Sequence, residues 1–483
     1  MAFAVFLPVV FILYWICPAK YRYLFLLAAS FYFYMHMDMR YAFLLLFTAA
    51  VSFFLALALQ SANSRPENGA SEKRKIRLLK KIYLLAGIIL LAGCLFTFKY
   101  LDFFFEAAGP ASPAIQLMLP VGISFYTFQT LGYLIDIYRG KYPAERHFGY
   151  YCLFVSFFPQ LLSGPIGRGD ILLPQFKKTR VFNPVQASYG LKLMAVGYFK
   201  KLVIAELLAP SINSIYDNPG DYTGLVFPIT TVMFAVQIYC DFSGYTDIAI
   251  GCAKLFGIEL QENFKSPYFS RSVREFWSRW HISLSTWFRD YVYIPLGGSR
   301  KGIFRHCLNL LLTFLASGLW HGAGIHYIVW GAIHGTFLIL EVCLLQKGCL
   351  LQKRLIKPKR QRGFFSLLLT FAEVCFAWIF FRANTLQDAW HILSHSLCGI
   401  GDFTNYLKNA VVSLDMSYSY MIYLCLPVLL LAVYDCVSLK TDVIACISSC
   451  KPWVRYPVYI VFLLVILLFS EKGVSTEFYY FQF

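Results

Sequence analysis

Charge is scarce in this chain. Only 14% of its 483 residues are Asp, Glu, Lys or Arg, where a soluble globular protein carries about 25%. That deficit excludes an ordinary soluble fold. Acidic residues are the scarcer sign, 26 against 43 basic, for a net charge of +17. An excess of that size could mark a nucleic-acid binder. The basic residues, however, sit mainly in short loops beside apolar runs, the positive-inside signature of membrane topology, so no nucleic-acid partner is expected. Paired cysteine motifs are also lacking. The fourteen cysteines are scattered through apolar runs, and only Cys446 and Cys450 cluster, as C-I-S-S-C, with no second pair to complete a zinc site. They read as single thiols packing like small hydrophobes, and no metal is expected. There is no low-complexity linker and no internal repeat. The opening "MAFAVFLPVVFILYWICPAKYRY" lacks a basic residue before its apolar core and a small-residue cleavage site, so it reads as a retained first span.

What is abundant is apolar and aromatic surface: 58% hydrophobic and 18% aromatic residues. Apolar segments fall at roughly 2–17, 22–37, 41–61, 82–107, 121–138, 148–164, 188–215, 224–256, 308–345, 364–382, 419–438 and 453–471. Many reach the roughly 20 residues that cross a bilayer. The 308–345 stretch is long enough for two crossings, with a bend at Gly322 or Gly324. "FFPQLLSGPIGRG", closing the 148–164 segment, predicts a broken or re-entrant helix. Irregular backbone is tolerated at membrane depth only inside protein or around a watery cavity. The expectation is an all-α polytopic bundle of about 11–13 membrane segments in one domain over 1–483. Within it, N-terminal helices occupy 1–107, a core 121–345 and C-terminal helices 364–483. Three strongly basic stretches, 63–81, 262–306 and 346–362, are placed in the cytoplasm. Counting spans from them puts both termini and 384–418 outside. The 384–418 segment is too short for a separate catalytic domain.

Three regions carry residues able to do chemistry. The first is "SGLWHGAGIHYIVWGAIHG", 317–335, apolar yet bearing His321, His326 and His334. On a straight helix these share no face, which argues against a metal cluster. Ionisable side chains in membrane spans usually face a protein interior or cavity. His321, between bulky Trp320 and bare Gly322, suits a narrow passage for a substrate. His326 and His334 read as buried hydrogen-bonding rings. The second region is "SVREFWSRWHISLSTWFRDYVYIPLGGSR", 272–300. Phe276, Trp277, Trp280, Leu284, Trp287 and Phe288 recur at helical spacing, with Arg274, Arg279 and Arg289 around them. One reading is an amphipathic helix at the cytoplasmic interface. The other adds phosphate binding by the arginines, whose planar forks suit it, and His281 pointing into a site. The third, "QIYCDFSGYTDIAIGCAKLFG", 237–257, buries Asp241 and Asp247 with Ser243 and Tyr245. Its carboxylates either line a polar tunnel or bond to neighbouring hydroxyls. Asp136, similarly placed, is expected to pair with Arg139.

Five segments in order resemble the membrane-bound O-acyltransferase family: "VGISFYTFQTLGYLIDIYRG" (121–140), "FPQLLSGPIGR" (159–168), "QIYCDFSGYTDIAIG" (237–251), "REFWSRWHISLSTWFRDYVYIPLGG" (274–298) and "GLWHGAGIHYIVWGAIHG" (318–335). The terminal "FYYFQF" is similar to the end of the bacterial alginate-acetylation branch. The resemblance covers most of the chain from about residue 90 onward. It implies a funnel-shaped helical bundle with a central tunnel. The family's near-universal histidine falls on His321, and a second family position falls on His281.

The implied chemistry is transfer of an acyl group from a cytosolic thioester to a hydroxyl. An imidazole near neutrality is a good general base for that step. The tunnel-lining and donor-binding candidates are Trp320, Gly322, Trp280, Ser283, Arg274, Arg279, Arg289, Asp241, Ser243 and Tyr245. The resemblance implies no tightly bound cofactor, with acetyl-CoA as co-substrate, in a bacterial cytoplasmic membrane. The acceptor would be an exopolysaccharide or cell-wall glycan, reached through an extracellular serine-type (SGNH-like) acyltransferase partner. Two alternatives stand beside it: D-alanyl transfer from a carrier protein to teichoic acid, and a flippase for a lipid-linked glycan in which His321 couples protons. A catalytically silent scaffold for the extracellular enzyme is a further possibility.

Overall fold

The structure, a computed structural model, describes residues 2–66, 69–108, 119–346, 360–414 and 418–469, and among these it is helical with no strand. The terminal "FYYFQF" and most of the basic 346–362 stretch lie outside the described residues. The chain packs as two compact units, one of Met1–Met194 with Thr246–Gln261 and one of Ala195–Tyr245 with Glu262–Phe483.

The first unit holds α1 (Ala2–Ile16), α2 (Arg22–Met35), α3 (Met39–Asn63), α4 (Ala70–Ala108), α5 (Ile123–Tyr138), α6 (Phe148–Ser156), α7 (Phe158–Leu161) and α8 (Gly169–Lys177). The basic stretch expected as a loop to residue 81 is instead helical from Ala70, forming the first turns of α4. Lys and Arg are good helix formers, so an apolar span can extend past the bilayer edge through them. The break expected after 148 lies between α6 and α7. There the Phe158 amide donates to Ser30 Oγ (3.1 Å) instead of continuing the helix. Phe154's carbonyl accepts from the amide groups of Gln129 (2.6 Å) and Gln160 (3.1 Å). Both glutamines belong to the buried interior of this unit, so the interruption keeps its backbone satisfied, as burial demands. Asp136 pairs with Lys141 at 2.7 Å, a cation that the sequence reading did not name.

A helix α9 (Pro184–Tyr198) continues through a π-helical turn, Phe199–Ala205, into α10 (Glu206–Asp217). Next come α11 (Val226–Leu255), α12 (Val273–Arg279), α13 (Ile282–Phe288), α14 (Ile303–His321), α15 (Ile325–Gln346), α16 (Arg360–Arg382), α17 (Leu386–His395), α18 (Phe403–Ser413), α19 (Tyr418–Ser438), α20 (Val443–Ser449) and α21 (Pro452–Phe469).

Among the described residues seven helices are long and apolar enough to cross a membrane, and the bent pair Tyr423–Ser438 and Val443–Ser449 (88°) raises this to eight at most. The remaining apolar segments fold as shorter helices. The 16-residue α5 spans about 24 Å, short of a hydrocarbon core near 30 Å. Composition separates lipid-facing from interior helices. None of the span of apolar α21 is buried, whereas 78% of that of α11, with its polar residues, is.

The bend expected at Gly322 or Gly324 is realised: α14 ends at His321 and α15 starts at Ile325. The two form an antiparallel hairpin packed through small residues. A Cβ on Gly318 would meet the Tyr327 carbonyl, and one on Gly331 the Phe314 carbonyl. In lipid, where no hydrophobic force drives helices together, such close backbone approach supplies the packing energy.

Candidate functional site: two histidines on one tryptophan

All the residues of this site belong to the second unit. His281 occupies the joint between α12 and α13. The single amphipathic helix suggested by the aromatic spacing is broken there, because His281 takes a left-handed conformation (φ 43°, ψ 53°). With Ser266, it is one of two non-glycine residues of positive φ among those described. That conformation is uncommon for a residue bearing a Cβ, though histidine is among the types enriched in it.

The surrounding chain holds the turn in place. The Ile282 amide donates to the Asn263 carbonyl (3.0 Å). Asn263 Oδ1 accepts from the Ser283 amide (3.0 Å) and hydroxyl (2.9 Å). The Lys265 amide donates to the Arg279 carbonyl (3.0 Å). Upstream, α12 is capped by Ser272 Oγ on the Glu275 amide (3.1 Å), and Glu341 of α15 accepts from the amides of Val273 (2.5 Å) and Arg274 (3.3 Å). A carboxylate at a helix N-terminus also opposes the positive end of the helix dipole.

The kink turns the aromatic stripe inward. Phe276, Trp277, Trp280, Trp287 and Phe288 are all buried, so these rings pack against protein. His281 is 1% exposed and meets Phe242 edge-on at 4.6 Å between ring centres. Burial pushes its imidazole down to about 3, because a low-dielectric surrounding penalises the charged form.

His321, the last residue of α14, is 3% exposed. Its ring stands 5.1 Å from Trp330 of α15 and 5.1 Å from Phe381 of α16. Trp320 joins the two histidines, with its ring 4.8 Å from His321 and 6.1 Å from His281. Residues forty apart in the chain thus share one buried aromatic wall. Gly322, the C-cap of α14, packs against the Tyr327 ring.

The other expected residues divide. Arg274 and Arg289 line a cavity of about 670 Å³ with Trp277, His306, Phe314 and Ser317. Ser317 lies one turn before His321 on α14, but neither His281 nor His321 is among the lining residues. Arg279 binds Glu275 (2.6 Å), and Arg289 holds Asp290 (2.9 Å). Trp280 is buried against Phe276, Phe264 and Trp378. On α11, Asp241 is buried and paired with Lys201 Nζ at 2.7 Å, while Ser243 is buried and Tyr245 half-buried. Among the described residues, no group of three His, Cys, Asp or Glu could hold a metal.

Lys201, Asn263, Trp330 and Glu341 are not singled out by sequence. Two carried a signal: Lys201 and Glu341 are charges inside runs read as continuously apolar. Asn263 and Trp330 carried none that separates them from ordinary loop and core residues.

Seven or more apolar membrane-length helices, with two histidines buried inside one unit, define a polytopic membrane protein that holds ionisable rings in its interior. Residues 145–387 match the family model of MBOAT, the membrane-bound O-acyltransferase family. The chain belongs to that family, and so to the multi-pass membrane acyltransferases. It is 36% identical to the probable alginate O-acetylase AlgI of Azotobacter vinelandii, over 83% of this chain and 77% of the relative. It is 32% identical to the peptidoglycan O-acetyltransferase of Helicobacter pylori, over 99% of this chain and 95% of the relative. It is 27% identical to the teichoic acid D-alanyltransferase of Streptococcus thermophilus, over 56% of this chain and 69% of the relative.

Proposed function

We propose that this protein is a membrane O-acetyltransferase that moves an acetyl group from cytosolic acetyl-CoA across the cytoplasmic membrane, for O-acetylation of an extracellular polysaccharide or cell-wall glycan. The observation that carries the reading is the buried His281–Trp320–His321 arrangement. His321 is the general base. It takes the proton of the attacking hydroxyl as the oxygen bonds to the thioester carbonyl carbon, and the proton passes on to the leaving thiolate. His281, kept neutral by burial, orients the reacting groups from the other side of Trp320. Arg274 and Arg289 at the cavity attract the donor's phosphates. The N-terminus and the C-terminus face outward, and a separate extracellular serine-type transferase, or the glycan itself, receives the acyl group.

Acetyl is favoured over D-alanyl because the two O-acetylating relatives named above match more of the chain at higher identity than the D-alanyltransferase does. The test uses purified protein in sealed vesicles with acetyl-CoA on the cytosolic side and the extracellular partner supplied. Free coenzyme A is followed for the wild type and for His321→Ala. Partner-dependent release that falls by roughly 10²–10⁴-fold in the variant is expected. Equal release from both removes His321 from the chemistry. No release from either, with an active partner, points to a carrier-bound D-alanyl donor or to glycan transport.

A further inference from the structure

His334 lies behind the wall of the arginine-rimmed cavity. It is fully buried, and Trp330 is 1% exposed. The Trp277 indole N–H donates to His334 Nδ1 at 3.3 Å. Indole nitrogen is a donor only, so Nδ1 must accept, and the ring proton is on Nε2. His334 therefore presents a second N–H donor. That Nε2, like the indole Nε1 of Trp330, is buried with no hydrogen-bond partner among the described residues. The two rings adjoin at 5.1 Å. Two neighbouring buried donors without an acceptor are a costly arrangement, and orphaned groups of this kind in a native interior call for an explanation.

Their position supplies one. Trp277 and Phe314 line the cavity and also pack on His334, at 5.0 and 6.2 Å. Trp330 packs on His334 on one side and on His321, at 5.1 Å, on the other. Of the two rings that carry the donors, His334 thus touches the cavity's wall residues and Trp330 touches His321.

We infer that Trp330 Nε1–H and His334 Nε2–H form a binding site for a carbonyl oxygen, that of the acyl thioester. This assignment rests on the acetyl-transfer reading above. As the acceptor hydroxyl bonds to the carbonyl carbon, the carbon–sulfur bond breaks. The hydroxyl's proton goes by way of His321 to the thiolate, and the two N–H groups hold the oxygen that carries negative charge in between. They transfer no proton. Preorganised donors of this kind favour the transition state because they need not reorient as charge develops. Trp277 acts as a positioning residue, fixing the tautomer of His334.

The test uses the full chain in nanodiscs, with turnover of acetyl-CoA in the presence of the partner and binding of ethyl-CoA, which has a methylene where acetyl-CoA has its carbonyl. Trp330→Phe keeps the ring packing and removes only the N–H. It is expected to lower kcat by roughly 10²-fold, with ethyl-CoA binding unchanged. His334→Leu is expected to lose turnover in the same way, and His334→Gln, whose carboxamide can accept from Trp277 and still donate, to recover most of it. Wild-type turnover in Trp330→Phe overturns the assignment. So does a parallel loss of turnover and ethyl-CoA binding, which marks a purely structural role. If the wild type turns over no acetyl-CoA with an active partner, the acetyl-transfer reading fails, and this assignment with it.

Discussion

Lys201 Nζ lies 2.7 Å from Asp241 Oδ1, both side chains being within a few per cent of complete burial. A π-helical turn spanning Phe199–Ala205 carries the lysine, and α11 carries the aspartate. Glu206 stands 3.8 Å from the same amine. Beside it, the buried Lys200 amine lies over the rings of Tyr239 (5.5 Å) and Tyr434 (5.8 Å). The Tyr239 hydroxyl in turn donates to the buried Asp435 carboxylate at 2.8 Å, so both lysines stand among buried acidic groups. A Cβ on Gly244, one turn after Asp241, would lie only 2.8 Å from the Gly197 carbonyl oxygen, so the glycine lets α11 come this close. The residue after Asp241 is Phe242, whose ring meets His281. The ion pair thus stands next in the chain to a residue that walls the site.

Lys201→Met should be strongly destabilising, by about 3–5 kcal/mol, because it strands Asp241 without its cation in a low-dielectric interior. Replacing both partners, Lys201→Met with Asp241→Leu, should restore much of the loss. Thermal unfolding in detergent of the two single variants and the double variant measures the coupling. A double variant no better than the sum of the singles would deny that the pair acts as a unit.

The left-handed backbone at His281 should be visible in substitutions. His281→Asn places another residue type that tolerates this conformation and should fold like the wild type while losing activity. His281→Val should cost a further 1–2 kcal/mol or so of stability from backbone strain alone. Unfolding midpoints of the two variants, compared with their turnover, separate strain from chemistry.

Stability should also fall in acid through His281. Its folded value, about 3, lies below the ordinary 6.5. As pH drops through 6.5 the unfolded chain takes up a proton that the folded chain refuses until about 3, so stability declines across that window and is flat above it. The His281→Asn variant, which has no such proton, should show a shallower acid decline in unfolding experiments. Identical slopes would mean that the folded ring titrates like an exposed one.

Gly331→Leu should separate α14 from α15, since even a Cβ at this position collides with the Phe314 carbonyl. The displacement would carry Trp330 away from His321. Loss of coenzyme A release is expected, together with protease sensitivity at the Gly322–Gly324 turn. Wild-type behaviour in both assays would show that the hairpin can open without consequence.

Much of the fold was legible because its causes are local. Runs of apolar residues must be helical in lipid, where each backbone group needs a partner within its own segment, and the helices fall on the runs read from sequence. The glycines at 322 and 324 and the proline at 159 marked real breaks. The aromatic spacing of 272–300 misled for an equally physical reason. Periodicity reports which side chains want burial, and it is blind to a single backbone reversal at His281 that Asn263 holds from a distant loop. Lys141, which also reaches the Asp136 carboxylate, shows the same limit, since it does so from past the end of α5.

The sequence by itself determined the membrane character, the helical class, the turn after His321 and the family motifs, all of which depend on composition and on neighbours in the chain. Only the tertiary structure decided which charges neutralise one another, which arginines face the cavity, and that Trp320 joins His281 to His321 while Trp330 joins His321 to His334. Those relations depend on helix packing between residues far apart in sequence, and close packing, unlike hydrophobicity, leaves no periodic trace in a single chain.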